Sequence, residues 1–332
     1  MDRPIVAVVL AGGTGTRLYP AARSDRPKQF QSFGGDQSLL SQTVRRTGFA
    51  DETYVLTSPE YADRVEDHAP GAAVLTEPEP KDTGPAMVYA AHRIREQVGD
   101  CALVCLPSDH HVDGEFAPTA RTAARVAAET DRLVTVGVEP DRLETGYGYI
   151  KPDEDRGDYH TVEKFVEKPS LGAAERYRYH GYYWNVGVFA WTPETLLAAA
   201  RDTDLEPMVA ALDDGDAAAA FEVAPSVSVD YAVMESSENA ALVPAGFEWD
   251  DIGAWNALAR VREGDADGNV VLGDAITLDA SDNVIATDGH VSAVGVSDLV
   301  VASFGDRTLV LPKRQSQRVR EVVEQLRADG KF

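Results

Sequence analysis

The apolar run Pro4-Ile5-Val6-Ala7-Val8-Val9-Leu10 is short and β-branched and empties into a glycine-rich turn, Leu10 to Pro20 reading LAGGTGTRLYP. Such a run suits a strand buried on both faces of a parallel sheet. Gly12, Gly13 and Gly15 permit positive φ and carry no Cβ, so successive N–H groups at the strand end can turn toward one anion. Arg17 and the lysine of Pro27-Lys28-Gln29-Phe30 add fixed positive charge. The segment reads as a cradle for a polyphosphate. Two common cradles are excluded by spelling: a dinucleotide fingerprint starting at Gly13 needs glycine where Leu18 stands, and the Gly-Lys-Ser/Thr of a Walker loop is absent.

Further apolar runs at Tyr54 to Thr57, Ala73 to Thr76, Ala102 to Leu106 and Val134 to Val138 alternate with amphipathic stretches at Glu60 to His68, Pro85 to Val98 and Ala117 to Glu129. That alternation predicts right-handed crossovers and a largely parallel sheet with ligands at the carboxyl ends of its strands. From about Gly268 the texture changes to short runs, Val270 to Leu272, Ala275 to Leu278, Val284 to Ala286, Val291 to Val294 and Leu299 to Ala302, broken by Gly, Asp and Asn. They predict a solenoid-like or compact β-rich unit without a repeat of fixed length. Val319, Val322, Val323 and Leu326 follow helical spacing, so a terminal helix packs one face on that unit. The expected division is 1–264 for a catalytic domain and 265–332 for the β-rich domain.

A chain of 332 residues that is 44% hydrophobic can bury a substantial core. No stretch approaches eighteen apolar residues and no basic segment leads into an apolar h-region at the start, which points to the cytoplasm. Cys101 and Cys105 lie in one strand-like run, about 13 Å apart if extended, beyond the roughly 7 Å that a disulfide spans, and read as core. The formal charge of −24 repels nucleic acid and anionic membrane. It also implies that the few lysines concentrate where phosphates bind, and Lys28, Lys81 and Lys168 all fall in motifs.

With its PKQF continuation, the glycine-rich string resembles the signature of the sugar-nucleotide pyrophosphorylases, most closely the mannose-1-phosphate guanylyltransferases. The resemblance implies a Rossmann-like α/β nucleotidyltransferase domain with a mostly parallel sheet, followed by a small β-helix-like domain and a terminal helix. It implies nucleotide binding by Leu10, Ala11, Gly12, Gly13, Thr14, Gly15, Thr16, Arg17 and Lys28. Leu106-Pro107-Ser108-Asp109-His110-His111 places Ser108 on the nucleotide and Asp109 on Mg2+. Trp249-Asp250-Asp251-Ile252-Gly253 resembles the family's Trp-x-Asp-x-Gly stretch and makes Asp251 the second metal ligand, with Asp250 solvated or behind it. Magnesium takes oxygen donors, often only one or two carboxylates with phosphate and water. His110 and His111 are adjacent in extended chain, point apart, and predict no zinc.

Glu77-Pro78-Glu79-Pro80-Lys81-Asp82-Thr83-Gly84-Pro85-Ala86 resembles the family segment Glu-Pro-x-x-Arg-Asn-Thr-Ala-Pro-Ala of the nucleotide pocket, with Asp82, Thr83 and Pro85 as candidate contacts. Lys81, Asp82 and Gly84 depart from it. The Asp82 carboxylate either accepts hydrogen bonds from guanine or caps the following helix. Thr145-Gly146-Tyr147-Gly148, Glu167-Lys168-Pro169 and Trp184-Asn185-Val186-Gly187 resemble the sugar-phosphate motifs: Lys168 on the 1-phosphate, Glu167 and Asn185 on hydroxyls, Gly146 admitting the sugar to the backbone. Val186 stands where a small hydroxyl residue is common. Ser228 to Glu235 is also family-like, in a supporting role.

These parts imply transfer of GMP from GTP to mannose 1-phosphate, with Arg17, Lys28, Asp109, Lys168 and Asp251 as the catalytic set. The alternatives are UTP or dTTP with glucose 1-phosphate, or a catalytically silent sugar-nucleotide-binding regulator. A homodimer is compatible with this reading, and neither nucleic acid nor membrane is a partner. The charge further predicts a salt-rich setting, because self-repulsion lengthens its reach as screening weakens. The melting temperature is expected to fall as ionic strength drops below ~0.1 M, where the Debye length exceeds about 10 Å. Equal stability at very low salt would rule this out.

Overall fold

The first apolar run folds as strand β1, Ile5–Leu10, with Val6 to Val9 fully buried. The computed structural model describes residues 3–13 and 15–332. Thr14 therefore lies outside the described residues. Ten further strands follow: β2 Glu52–Thr57, β3 Ala73–Thr76, β4 Ala102–Pro107, β5 His111–Gly114, β6 Leu133–Val138, β7 Tyr149–Asp155, β8 His160–Val166, β9 Tyr183–Trp191, β10 Ala240–Pro244 and β11 Phe247–Asp250. β5 and β11 pair with each other.

The other nine form one sheet in the order β3-β2-β1-β4-β9-β6-β10-β8-β7. Only β8 and β9 run against the rest, which makes the sheet mostly parallel. Helix Thr83–Gln97 buries Met87, Val88, Ala91 and Ile94 in the main core with Leu103, Phe189 and Trp191. Helix Phe116–Thr130 packs on β4, β6 and β9 and buries Ala120, Ala123, Ala124 and Ala127. Strands β1 and β4 stay in register to their last residues, Leu10 opposite Pro107, so their two loops leave the carboxyl edge side by side. Cys101 and Cys105 are buried free thiols, and burial pushes the Cys101 thiol up to about 12. No described helix is long and apolar enough to cross a membrane.

Packing groups the residues into two compact units. One holds the residues up to Gly12 with Val44–Pro107 and Val112–Trp249, and the other holds Gly13–Thr43, Ser108–His111 and Asp250–Phe332. The chain passes between them five times, at Thr43/Val44, at His111/Val112 and, inside three of the motifs read from the sequence, at Gly12/Gly13, Pro107/Ser108 and Trp249/Asp250.

In the second unit, β12 Val270–Leu278, β13 Val284–Val294, β14 Leu299–Phe304 and β15 Arg307–Pro312 form one sheet in that order. The five short runs expected here merge, because Gly273 and the Asp288-Gly289 step interrupt hydrophobicity without ending a strand. β12, β13 and β14 are parallel, stacked as coils in which Val270 faces Val284, Ala275 faces Val291 and Val284 faces Val300. β15, not singled out in the sequence, returns antiparallel on β14. A buried asparagine ladder pins the turns: Asn283 Nδ2 donates to Asn269 Oδ1 at 2.9 Å and to Val296 O at 3.1 Å, and Asn283 Oδ1 accepts from Leu299 N at 3.0 Å. Helix Val319–Ala328 buries Val319 and Val323 with Leu326 beside them, whereas Val322 is exposed. Three of the four expected positions thus face the core.

Removing the Asn283 amide strands several buried partners at once. Asn283→Ala is expected to lower stability by at least ~2 kcal/mol in denaturant unfolding, with the loss confined to probes in the second unit.

Candidate active site

Leaving β1, Ala11 donates from its N–H to Leu56 O at 2.8 Å and accepts the Thr57 hydroxyl on its carbonyl at 2.9 Å. Of the three loop glycines, Gly15 is the one observed at positive φ, 62°. A Cβ there would fall 2.2 Å from Lys28 Cβ, so the lysine stem lies directly on the glycine. Gly12 serves a close approach instead: a Cβ would stand 2.9 Å from Glu77 Oε1. Thr16–Leu18 form one 3-10 turn, Leu18 enters the core of the second unit, and exposed Arg17 donates from Nη1 to Gln317 Oε1 at 3.2 Å.

Lys28 is 4% exposed, and its ammonium donates to Asp109 Oδ2 at 2.8 Å and to the main-chain oxygen of Asp251 at 3.0 Å. Three loops of the second unit therefore meet at one cation. Burial works against the Asp109 carboxylate, but Lys28 and His110 hold it below the usual carboxylate range. The Asp251 side chain turns back to accept Gly253 N at 3.0 Å, and Ile252 between them has φ 43°, a conformation rare for a β-branched residue. Asp250 is not solvated. It is 3% exposed and clasped by Arg260, Nε to Oδ2 at 2.7 Å and Nη2 to Oδ1 at 2.9 Å, while Oδ1 also accepts Ile252 N at 3.0 Å. His110 Nε2 lies 3.8 Å from Asp109 Oδ1, and Ser108 accepts the Thr43 hydroxyl on its carbonyl.

In the first unit, the segment after β3 distributes its charges differently from the sequence reading. Lys81 is committed to carbonyls at the C-terminus of helix Ala217–Val223, with Nζ 3.4 Å from Glu222 O and 3.2 Å from Ala224 O. A cation there answers the negative end of a helix. Asp82 accepts Thr83 N at 2.7 Å with φ 72°, the capping alternative of the two read for it. Gly84 in place of alanine has a steric reason: a Cβ would sit 2.6 Å from Val227 O. Pro85 is buried in the first turn of the helix, and the Thr83 hydroxyl accepts Val229 N at 3.0 Å. Glu77, singled out only as the start of the motif, is 4% exposed, and its Oε2 has no hydrogen-bond partner among the described residues. Burial pushes its carboxyl up to about 7.

The sugar-phosphate motifs converge. Lys168 Nζ bonds Glu167 Oε1 at 2.6 Å; burial works against the ammonium, but this bond together with the charge of Glu167 and Asp230 raises it above its ordinary range. Lys168 has φ 46°, and its N–H reaches Tyr147 O at 3.2 Å. Asn185 Oδ1 accepts from the Thr135 hydroxyl at 2.9 Å and Gly187 N at 3.0 Å, while its Nδ2 donates to Asp230 Oδ1 at 2.7 Å. Those donors fix which way the amide faces and leave one N–H for a ligand. Gly146 gives its N–H to Glu144 Oε1, and Gly148 is the glycine against the site, since a Cβ on it would lie 2.5 Å from Glu167 Oε2. Asp230 begins a π-helical turn, Asp230–Met234, of the kind often found at functional sites. Burial, and then Glu167, push its carboxyl up to about 7. Glu235 Oε1 in the same segment accepts Glu167 N at 2.7 Å. Asp230 and Glu235 were legible only as part of a family-like string.

Comparison with known proteins gives consistent matches. The sequence profile described as nucleotidyl transferase matches residues 6–268, and the one described as MannoseP isomerase/GMP-like beta-helix domain matches residues 273–326. The chain is 37% identical to the xanthan biosynthesis protein XanB of Xanthomonas campestris, over 98% of this chain and 74% of that protein. It is 34% identical to a mannose-1-phosphate guanylyltransferase of Sinorhizobium fredii, over 98% of this chain and 68% of that protein. The crystal structure named mannose-1-phosphate geranyltransferase from Thermus thermophilus superposes with TM-score 0.90 at 36% identity, covering 98% of this chain and 99% of that one.

The raised Glu77 carboxyl has a consequence for stability. It ionises near 4.5 when unfolded and at about 7 when folded, so the native state binds more protons in between. Stability then falls as pH rises through that window, and above it the penalty is complete, on the order of 3 kcal/mol. In denaturant unfolding, Glu77→Gln is expected to gain stability relative to wild type steadily from pH 5 to pH 8. Parallel profiles would refute this.

Proposed function

Because the chain belongs to the nucleotidyl transferase family, we propose that it transfers GMP from GTP to mannose 1-phosphate, giving GDP-mannose and pyrophosphate. The observation that carries the reading is the Lys28 ammonium bonded at once to Asp109 and to the main chain of Asp251, beside the glycine loop. The names of relatives at 33–35% identity over nearly the whole chain support guanine and mannose. By sequence range we assign 1–264 to catalysis and 265–332 to the β-helix domain.

In this reading a phosphate oxygen of mannose 1-phosphate attacks the α-phosphorus of GTP in line. No residue needs to act as general base, since a phosphate monoester with a second pKa near ~6 is already largely dianionic at neutral pH. Positioning and charge carry the rate. Lys28 exchanges its protein oxygens for those of the triphosphate, Arg17 releases Gln317 to meet the leaving pyrophosphate, and Lys168 holds the sugar phosphate. Glu167 and Asn185 orient hydroxyls, the first as acceptor and the second through its remaining N–H.

The donor set also fits a divalent metal. Oxygens of the Asp109 and Asp251 segments already hold one cation, an ammonium, and both residues offer hard carboxylate ligands suited to Mg2+. Asp109 and Asp251 would hold the ion, and magnesium so bound supplies Lewis-acid neutralisation of phosphate charge.

Pyrophosphate release measured with GTP, ATP, UTP or dTTP against mannose, glucose and glucosamine 1-phosphates at high salt tests the assignment. Turnover is expected with GTP and mannose 1-phosphate, lost on chelation and restored by Mg2+. Lys28→Met and Asp109→Asn are expected to lower kcat about 100-fold to 1000-fold. Turnover only with UTP or dTTP would overturn the guanine assignment, and none at all would favour a regulatory protein.

A further inference from the structure

Three consecutive residues of the glycine-rich turn, Arg17, Leu18 and Tyr19, are each held by the C-terminal part of the second unit. Leu18 is fully buried in one core with Val319 and Val323 of the terminal helix. Tyr19 packs its ring on Phe332 at 6.2 Å between centroids, carries the Arg307 guanidinium 5.8 Å from its own centroid, and accepts Trp255 Nε1 on its carbonyl at 2.8 Å. Arg17 is the exposed member, and its Nη1 donates to Gln317 Oε1, 300 positions away in sequence, at 3.2 Å.

Gln317 is fixed from below. It belongs to the 3-10 segment Lys313–Arg318, in which Ser316 is 1% exposed and donates its hydroxyl to Lys313 O at 2.6 Å, and Val319 just beyond it is equally buried. The two exposed tips therefore stand on buried anchors, Leu18 under one and Ser316 with Val319 under the other. Holding two long side chains in one geometry costs entropy on an open surface, and anchoring both bases reduces that cost. The acceptor's chemistry is informative too. In a chain with 55 Asp and Glu against 31 Lys and Arg, the group set against this arginine is a neutral amide oxygen. A carboxylate there would grip the guanidinium through a charged, two-point bond that every incoming phosphate would have to break. An amide oxygen directs the guanidinium without neutralising it, and a phosphate oxygen displaces it readily, since charge-assisted hydrogen bonds are roughly twice as strong as neutral ones.

We propose that Gln317 is a positioning residue for the transfer: it aims the Arg17 guanidinium and yields it to pyrophosphate, which makes the segment before the terminal helix a working part of the glycine-rich turn. The inference rests on the GTP reading above, in which Arg17 meets the leaving pyrophosphate. Gln317 is released when pyrophosphate binds and stays released through the transition state. Its grip on Arg17 therefore weighs on bound state and transition state alike, and altering it moves KM while sparing kcat.

The experiment runs the reaction backward, GDP-mannose and pyrophosphate giving GTP and mannose 1-phosphate, and reads kcat and KM for pyrophosphate. Wild type, Gln317→Met and Gln317→Glu are compared, each with Arg17 present and with Arg17→Met. Methionine keeps the length and removes the acceptor, whereas glutamate keeps the acceptor and adds charge. Gln317→Met is expected to raise KM about threefold, because the guanidinium is then ordered only on binding. Gln317→Glu is expected to raise it about tenfold, an effect that shrinks as salt is added. In both, kcat should move less than about twofold. With Arg17→Met, neither substitution should shift KM more than about twofold, as a directly coupled pair requires; where that background turns over too slowly, the Kd of pyrophosphate from calorimetry carries the same comparison. Gln315→Glu adds the same charge beside Arg318, which Gln315 already accepts at 3.1 Å, and should leave KM within about twofold of wild type. Shifts that persist with Arg17→Met, that Gln315→Glu reproduces, or that follow a fall in melting temperature would assign Gln317 to bulk charge or to structure and overturn the proposal, as would an unchanged KM in both Gln317 variants. A wild type that forms no GTP from GDP-mannose and pyrophosphate would instead sink the functional reading beneath it.

Discussion

A buried ammonium shared by three loops is the contact on which the rest of the second unit's site depends. Lys28 reaches residues 81 and 223 positions away in sequence, and its two bonds tie separate loops to one cation. A lysine enclosed to this degree costs several kcal/mol unless paired, and Asp109 provides the pair. The stem of the same side chain lies on Gly15, so the conformation of the glycine turn and the placement of positive charge are a single device. In a chain with formal charge −24, a cation enclosed by protein oxygens is also insulated from the acidic surface, and an incoming phosphate meets it at short range.

Three of the seven described non-glycine residues at positive φ fall in the site motifs. Asp82, Lys168 and Ile252 occupy the left-handed region with φ of 72°, 46° and 43°, at a cost of roughly 1–3 kcal/mol each. Their surroundings hold them there. Ile252 is 3% exposed within the core of its unit, and Asp250 accepts its N–H while gripping Arg260. The result is that Asp251 presents its main-chain oxygen to Lys28 and folds its carboxylate onto Gly253. Asp250 and Asp251 are chemically identical in sequence, and only this geometry separates the carboxylate that Arg260 clasps from the residue whose main-chain oxygen meets the cation.

Much of the fold was legible because local chemistry sets it: a β-branched run ending in Gly-rich chain, alternation of strand and helix, and helical spacing near the terminus. Asp109 and Asp251 could be singled out because they follow recognisable strings. What escaped depends on tertiary contact. Lys81 sits in a motif yet answers the carbonyls of a helix more than a hundred residues downstream. Gly146 looked like the open approach to the backbone, while Gly148 is the one pressed against Glu167. The coils of β12, β13 and β14 advance by unequal steps, Val270 to Val284 and then Val284 to Val300, so no fixed period appears in the sequence. Their shared feature is the asparagine ladder, and Asn269 and Asn283 are unremarkable until stacked.

Glu77 and Asp230 carry a cost that most of the fold avoids. Burial raises both carboxyls to about 7, and neither is neutralised by a lysine or arginine bonded to it directly. A stability-optimised fold would replace such groups with apolar or paired residues, since an under-satisfied buried acid is a net cost. Glu77 lies against the Gly12 main chain, where a Cβ would stand 2.9 Å from Oε1, and Asp230 accepts the Asn185 amide at 2.7 Å.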